Sequence, residues 1–196
     1  MKLFIIADIE DLSWQHGTGN ADVLLSCGDT NDQVILQAAE AYGCSRIFAV
    51  KGNHDRNTPF PDPIIDLHLQ VCEYGGLRFG GFNGAWKYKP KGHFLYEQTE
   101  AKFLLDAFPP VDIFLSHNSP RHVHDRDDGI HYGFDALTSY IERTQPKLLI
   151  HGHQHLMKES QIGETRVIGV HGYRIIRPTS ASNISSARMT KKNAMN

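Results

Sequence analysis

Five short apolar runs recur along the chain, at residues 2–7, 22–27, 46–50, 111–116 and 147–151, each closed by a polar or glycine-containing turn. They are rich in Ile, Val, Leu and Phe and too continuous to alternate, the pattern of strands buried on both faces. Between them lie stretches with helical spacing. Residues 32–42 place Val34, Ile35, Ala38, Ala39 and Tyr42 on one face; 97–108 repeat Ala101, Leu104, Leu105 and Phe108; 134–143 repeat Leu137, Tyr140 and Ile141. Alternating strands and helices of this size predict an α/β fold with mainly parallel strands. Two stretches break the alternation. Residues 67–74 and 77–82 read as consecutive antiparallel strands, as do 159–162 and 166–176 around a turn at Gly163-Glu164. A second, partly antiparallel sheet follows, packed face to face with the first and with helices outside. One domain spans 1–177; from 178 to 196 the chain turns to Ser, Thr, Asn, Lys and Met without periodicity and reads as a mobile tail.

Composition narrows the function classes. The 196 residues are 40% hydrophobic and 21% charged with a net charge of -2, so no global basic field draws in nucleic acid. No apolar run approaches the ~20 residues that cross a bilayer. The first run meets acids at once, at Asp8, Glu10 and Asp11, which suits the first strand of a cytoplasmic protein better than a secretory leader. Three cysteines, Cys27, Cys44 and Cys72, without Cys-x-x-Cys spacing, read as reduced thiols. The unusual number is 12 His, five of which sit in tight clusters with Gly, Asn and Asp.

The chemistry-bearing residues follow the apolar runs, where an α/β sheet places its ligand site. Asp8 and Glu10 follow the first run, Gly28-Asp29 the second and Gly52-Asn53-His54-Asp55 the third; Ser116-His117-Asn118 ends the fourth, and Gly152-His153-Gln154-His155 follows the fifth. Taken singly, Asp8 is a turn residue, Asp29 a helix N-cap and Asn53 a turn former. Together, strand ends offering Asp, Asp, Asn, His and His make a converging set of metal ligands. Glycines 28, 52 and 152 let each strand end turn sharply. His153 and His155, two apart in extended chain, point the same way. His151 and His171 read as packing behind the ligands.

This order of motifs resembles the calcineurin-like metallophosphoesterase superfamily over residues 1 to about 177. The resemblance implies a four-layer α-β-β-α sandwich of two mixed β-sheets flanked by helices, and a centre of two divalent metal ions. It implies that Asp29 bridges both metals, that Asp8 and His155 hold one, and that Asn53, His117 and His153 hold the other. His54 would then stand beside the leaving-group oxygen as general acid, oriented by Asp55. Two metals about 3.5–4 Å apart share a water, bring its pKa towards neutrality and clamp the phosphate for in-line attack.

The first motif departs from the common Asp-x-His and reads Asp8-Ile9-Glu10, resembling a smaller bacterial branch with an Asp-x-Glu start. Glu10 either ligates, hydrogen-bonds a metal-bound water or faces solvent, and it is placed with the ligands. A carboxylate there balances the charge of two divalent ions together with Asp8, Asp29 and a bridging hydroxide, where imidazole would leave one positive charge over. A less positive centre favours harder ions such as Mn²⁺ or Mg²⁺, with Mn²⁺ the expected ion and Fe, Zn²⁺ or Mg²⁺ the alternatives, and a phosphodiester over a dianionic monoester.

Around this centre, Arg56 and His131 are candidate substrate contacts, and Trp86, Tyr88 and Tyr96 with Lys87, Lys89 and Lys91 either stack on a base or pack on the sheet edge. The expected substrate is a small phosphate ester, a nucleotide among the options, with nucleic acid not favoured, no membrane partner and no oligomeric state set by the sequence. Rival readings are a phosphomonoesterase or nuclease on the same fold, and a metal-binding protein-interaction scaffold without catalysis.

Overall fold

The first apolar run becomes β1 (Leu3–Ala7), buried at all five positions. Leu3, Ile5 and Ala7 enter one hydrophobic core while Phe4 and Ile6 enter another, so this strand has no solvent face. The computed structural model describes residues 1–178, and the segment read as a polar tail lies beyond residue 178, outside the described residues. After β1 come β2 (Val23–Ser26), α1 (Asp32–Ala41), β3 (Arg46–Ala49), β4 (Ile64–Asp66), β5 (Val71–Tyr74) and β6 (Leu77–Phe82). A short parallel pair, β7 (Ala85–Trp86) and β8 (Leu95–Tyr96), precedes α2 (Gln98–Asp106), β9 (Ile113–Ser116) and α3 (Asp135–Thr144). The chain then forms β10 (Leu148–His151), β11 (Lys158–Ile162), β12 (Thr165–Gly169) and β13 (Gly172–Ile176).

Two mixed sheets result. One has the order β13-β1-β2-β3-β4, parallel except for antiparallel β13; the other has the order β11-β12-β10-β9-β6-β5, parallel at its centre and antiparallel at both edges. Leu25 and Phe48 of the first sheet meet Phe79, Leu115 and Ile150 of the second in the core between them. On the outer side of the first sheet lies α1, through Val34, Ile35, Ala38 and Ala39. Outside the second lie α2 and α3, through Ala101, Leu105, Leu137 and Tyr140. Three cores therefore separate four layers, α-β-β-α. Among the described residues no helix is long and apolar enough to cross a membrane.

Two stretches depart from the expected strands. The segment 67–74 is not one strand: β4 ends at Asp66 in the first sheet, Leu69 turns with φ +55°, and β5 begins at Val71 in the second. The segment 166–176 likewise breaks at Val170-His171, where the chain leaves β12 and crosses to the first sheet as β13. The cause is the same in both. The crossing residues Leu67 and Val170 are buried between the sheets, so the apolar pattern runs on through the turn and hides it.

The parallel strands all end at one edge of the sandwich. Register ties Ser26 to Ala49, and Ser116 to both Phe82 and His151, so the residues that follow these strands emerge side by side.

Candidate metal centre

Four of the residues after these strands have left-handed backbone: Asp8 (φ 54°), Asp29 (φ 50°), His153 (φ 60°) and His155 (φ 49°). Asp and His tolerate this conformation better than most side chains, but it still costs energy, and such strain gathers at functional sites. Of the three glycines expected to turn sharply, only Gly28 has a positive φ, of 90°. Gly52 is required for space instead, since a Cβ there would overlap the Asp29 carboxylate.

His117 is fully buried at the centre of the site. Its Nδ1 lies 2.8 Å from the Cys27 carbonyl, which can only accept, so Nδ1 carries a hydrogen, and Nε2 presents a lone pair once a cation displaces the second proton. That Nε2 faces Asn53 Oδ1 at 3.0 Å and Asp29 Oδ2 at 3.3 Å. Asn53 is held in this orientation by its Nδ2, which donates to the Tyr88 hydroxyl at 3.1 Å. Asp29 Oδ1 accepts the His54 backbone N–H at 2.8 Å, and both Asp8 oxygens accept the His153 N–H, at 3.2 and 2.9 Å. Asp8, Asp29 and His117 offer ligand atoms all within 4.8 Å of one another.

The electrostatics report the same crowding. Burial pushes Asp8 up to about 7, with the charges of Asp29 and Asp55 adding to it and His117 opposing. Burial would also raise Asp29, yet the charge and hydrogen bond of His117 hold it well below the usual carboxylate range. Burial would lower His117, but Asp29 outweighs it and raises the ring to about 9. Acceptors thus converge on a point that demands positive charge. A proton on His117 supplies one charge there, and a divalent cation fits the same donors with twice that.

A second group joins Asp8 to His155 and His171, again with ligand atoms within 4.8 Å of one another. His171, which the sequence pattern puts behind the ligands, is exposed, on the turn from β12 to β13, and beside them. His153 stands next to His117, with ring centroids 4.9 Å apart, but its Nε2 is directed to the Ile130 carbonyl at 3.4 Å and it joins neither group. Burial, then the neighbouring charges of His117 and His131, keeps His153 well below the usual imidazole value, hence neutral and able to ligate.

Two expected residues are placed apart from the direct contacts their roles would use. Glu10 is exposed and joins neither ligand group. The left-handed turn at Asp8 breaks the extended geometry that would aim positions 8 and 10 together, buried Ile9 bridges to Thr30, and Glu10 lines the cavity beside the ligands. Asp55, expected to orient His54, makes its hydrogen bonds to the backbone. Its Oδ2 accepts the backbone N–H of Gly52 at 2.7 Å and of Asp29 at 2.9 Å, tying the second strand end to the third.

His54 and Arg56 are exposed, and with Glu10 and His155 they line a cavity of about 770 Å³ beside the ligands. His131 is half-buried, with Nδ1 2.7 Å from Asp128 Oδ2 and its ring centroid 5.2 Å from that of His153. In the aromatic segment, Trp86 and Tyr96 pack against the outer core of the second sheet and Lys87 pairs with Glu97 at 3.2 Å. Tyr88 is the member that reaches the site, and sequence spacing carries no signal for it.

Behind the ligands lies a buried relay. His151 Nδ1 donates to the Gly152 carbonyl at 2.9 Å, so its Nε2 accepts from His124 Nδ1 at 2.9 Å, and His124 Nε2 accepts from the Ser160 hydroxyl at 2.8 Å. Burial holds both rings neutral, lowering His151 to about 3 and His124 to about 4, with the Lys158 charge assisting at His124. The unfolded chain takes up protons at these histidines near pH 6.5, whereas the folded chain refuses them until much lower pH. Stability is therefore fully present above about pH 6.5 and falls as pH drops from there towards 4, by up to about 1.4 kcal/mol per pH unit for each histidine. Urea unfolding between pH 7.5 and 4.5 is expected to show this slope, reduced by one proton in His124→Gln.

Acidic and imidazole side chains gathered at the carboxyl edge of a two-sheet sandwich form a candidate metal-binding site. The chain belongs to the calcineurin-like phosphoesterase family, whose model matches residues 4–157. Among solved structures it is similar to the phosphopantetheinyl hydrolase PptH from Mycobacterium tuberculosis (12% identity, TM-score 0.58, 91% of this chain and 96% of that one). It is also similar to TT1561 of Thermus thermophilus (16% identity, TM-score 0.56, 86% and 89%). Vps29 complexed with Zn²⁺ from Entamoeba histolytica aligns at a TM-score of 0.48 (13% identity, 88% and 74%). The similarities to PptH and TT1561 show a shared fold. No curated protein matches.

Proposed function

We propose that this protein is a binuclear metal-dependent hydrolase of a small phosphodiester, with a nucleotide among the candidate substrates. The observation that carries this reading is the set of lone pairs on His117 Nε2, Asn53 Oδ1 and Asp29 Oδ2, which face one another with Asp8 alongside. Asp8 and His155 would hold one ion, Asn53, His117 and His153 the other, and Asp29 both. When bound, two adjacent divalent ions activate a shared water and hold phosphate oxygens for in-line displacement.

The chain's own residues supply the rest. His54 stands free at the cavity wall, its backbone anchored on Asp29, and donates the proton that the leaving oxygen needs. Arg56, on the same wall, neutralises a phosphate oxygen. Glu10 and Asp11 also line the cavity and make it hostile to a second negative charge, which disfavours a dianionic monoester. The preference for a diester thus rests on the wall rather than on a carboxylate ligand. A volume of about 770 Å³ accommodates a nucleotide-sized substrate. A mixed set of carboxylate, amide and imidazole donors is open to Mn²⁺, Fe and Zn²⁺, of which Mn²⁺ is the expected ion, and the free thiols Cys27, Cys44 and Cys72 suit a reducing, cytoplasmic setting.

The test is hydrolysis of a chromogenic diester and monoester with Mn²⁺, Mg²⁺ and Zn²⁺ in turn. Metal-dependent turnover favouring the diester is expected, and Glu10→Gln should raise monoester turnover relative to diester by about three- to tenfold. A wild-type enzyme that prefers monoesters at matched metal loading would refute the diester assignment.

A further inference from the structure

The first motif puts one residue, Asp8, in the ligand groups where the expected set had two, and an exposed imidazole, His171, stands with it. We infer that His171, on the turn from β12 to β13, is a metal ligand that completes a site with Asp8 and His155. This rests on the metal-centre reading above and assigns it one more residue.

The strand register brings His171 there. β13 runs antiparallel to β1 with Gly172 opposite Ala7, so the residue before β13 lies against the residue after β1, and His171 meets Asp8. The turn itself is anchored. Val170 N–H donates to the His151 carbonyl at 2.9 Å, and the His171 N–H points to Met157 Sδ at 3.3 Å. Gly172, with φ 77°, lets the chain double back immediately after the ligand.

The chemistry is that of an incomplete coordination set. One nitrogen each of His155 and His171 and one Asp8 oxygen lie within 4.8 Å of one another. The two rings stack with centroids 5.0 Å apart and planes inclined by 27°. Among the described residues neither ring makes a hydrogen bond, so nothing else occupies their nitrogens. Two imidazoles and a carboxylate form a common three-residue set for a borderline divalent ion that keeps open positions for water or substrate. Compared with a site completed by Glu10, the same ions carry one negative charge fewer and attract phosphate oxygens more strongly.

The experiment titrates metal-free full-length protein with Co²⁺ alone, followed by calorimetry and by visible absorption, whose intensity and position report the ligand set. Wild type is expected to bind two equivalents. His171→Ala should weaken one of the two by tenfold or more and shift its absorption band, whereas Glu10→Ala should bind both as wild type does. Added imidazole should restore the band in His171→Gly, a rescue that a purely structural role would not give. The exposed, unbonded ring makes unfolding of the metal-free variants unchanged in midpoint; if His171→Ala does not fold, His171→Gln is titrated in its place. Two unaltered Co²⁺ affinities and an unaltered band without His171 would overturn the inference. A wild type that binds no Co²⁺ would instead overturn the metal centre itself, and the wild-type titration alone tells the two failures apart.

Discussion

Asp29→Asn is expected to lower phosphodiester turnover by at least about a thousandfold and to cost the protein at least one bound ion. The carboxylate serves three neighbours at once: Oδ1 takes the His54 N–H at 2.8 Å, Oδ2 faces His117 Nε2 at 3.3 Å, and the group lies within ligand reach of Asp8. An amide has one acceptor oxygen. If that oxygen stays on the His54 N–H, an NH₂ group points at the very place where His117, Asp8 and Asn53 offer lone pairs, and a cation meets a donor. If the amide flips, the loop bearing His54 loses its anchor. Asn adopts left-handed backbone readily, so the φ of 50° at this position is tolerated and the variant folds. Metal analysis of the purified variant beside a diester assay checks the expectation; full metal content with unchanged turnover would remove Asp29 from the site.

His54→Gln is expected to lower kcat by about a hundred- to ten-thousandfold with a poor leaving group, while metal content and stability stay at wild-type values. The ring is exposed and its anchoring is through the backbone, so nothing structural depends on the imidazole. The diagnostic lies in the leaving group. A nitrophenolate departs without help, so the loss should shrink sharply for a nitrophenyl ester and be largest for an alkyl or nucleoside leaving group. Equal losses for both would show that His54 orients substrate rather than donating a proton.

The helices and the central strands were legible because a single physical pattern dictates each. Val34, Ile35, Ala38 and Ala39 can be buried together only on a helix, and runs such as Leu3–Ala7 have no polar residue to show to water. The cluster of strand ends was legible for the same reason, since parallel strands must finish on one side. What remained hidden was set by single dihedrals and by contacts distant in sequence. The left-handed turn at Asp8 separates it from Glu10, and no local pattern announces it. Tyr88 reaches Asn53 across 35 residues. His171 was concealed by the buried Val170 beside it, which made two strands in different sheets look like one. Asp55 kept its expected place beside the site and took two backbone N–H partners, Gly52 and Asp29, which sequence spacing does not announce.

The left-handed backbone at Asp8, Asp29, His153 and His155 has a consequence for how this sequence drifts. At each of those positions the chain would relax with glycine, and no other common substitution relieves the strain as cheaply. A lineage selected only to keep the sandwich folded would therefore slide towards glycine at four sites, gaining stability as it lost ligands. Only a demand for the side chains themselves, such as the proposed metal binding, opposes that drift at the same codons.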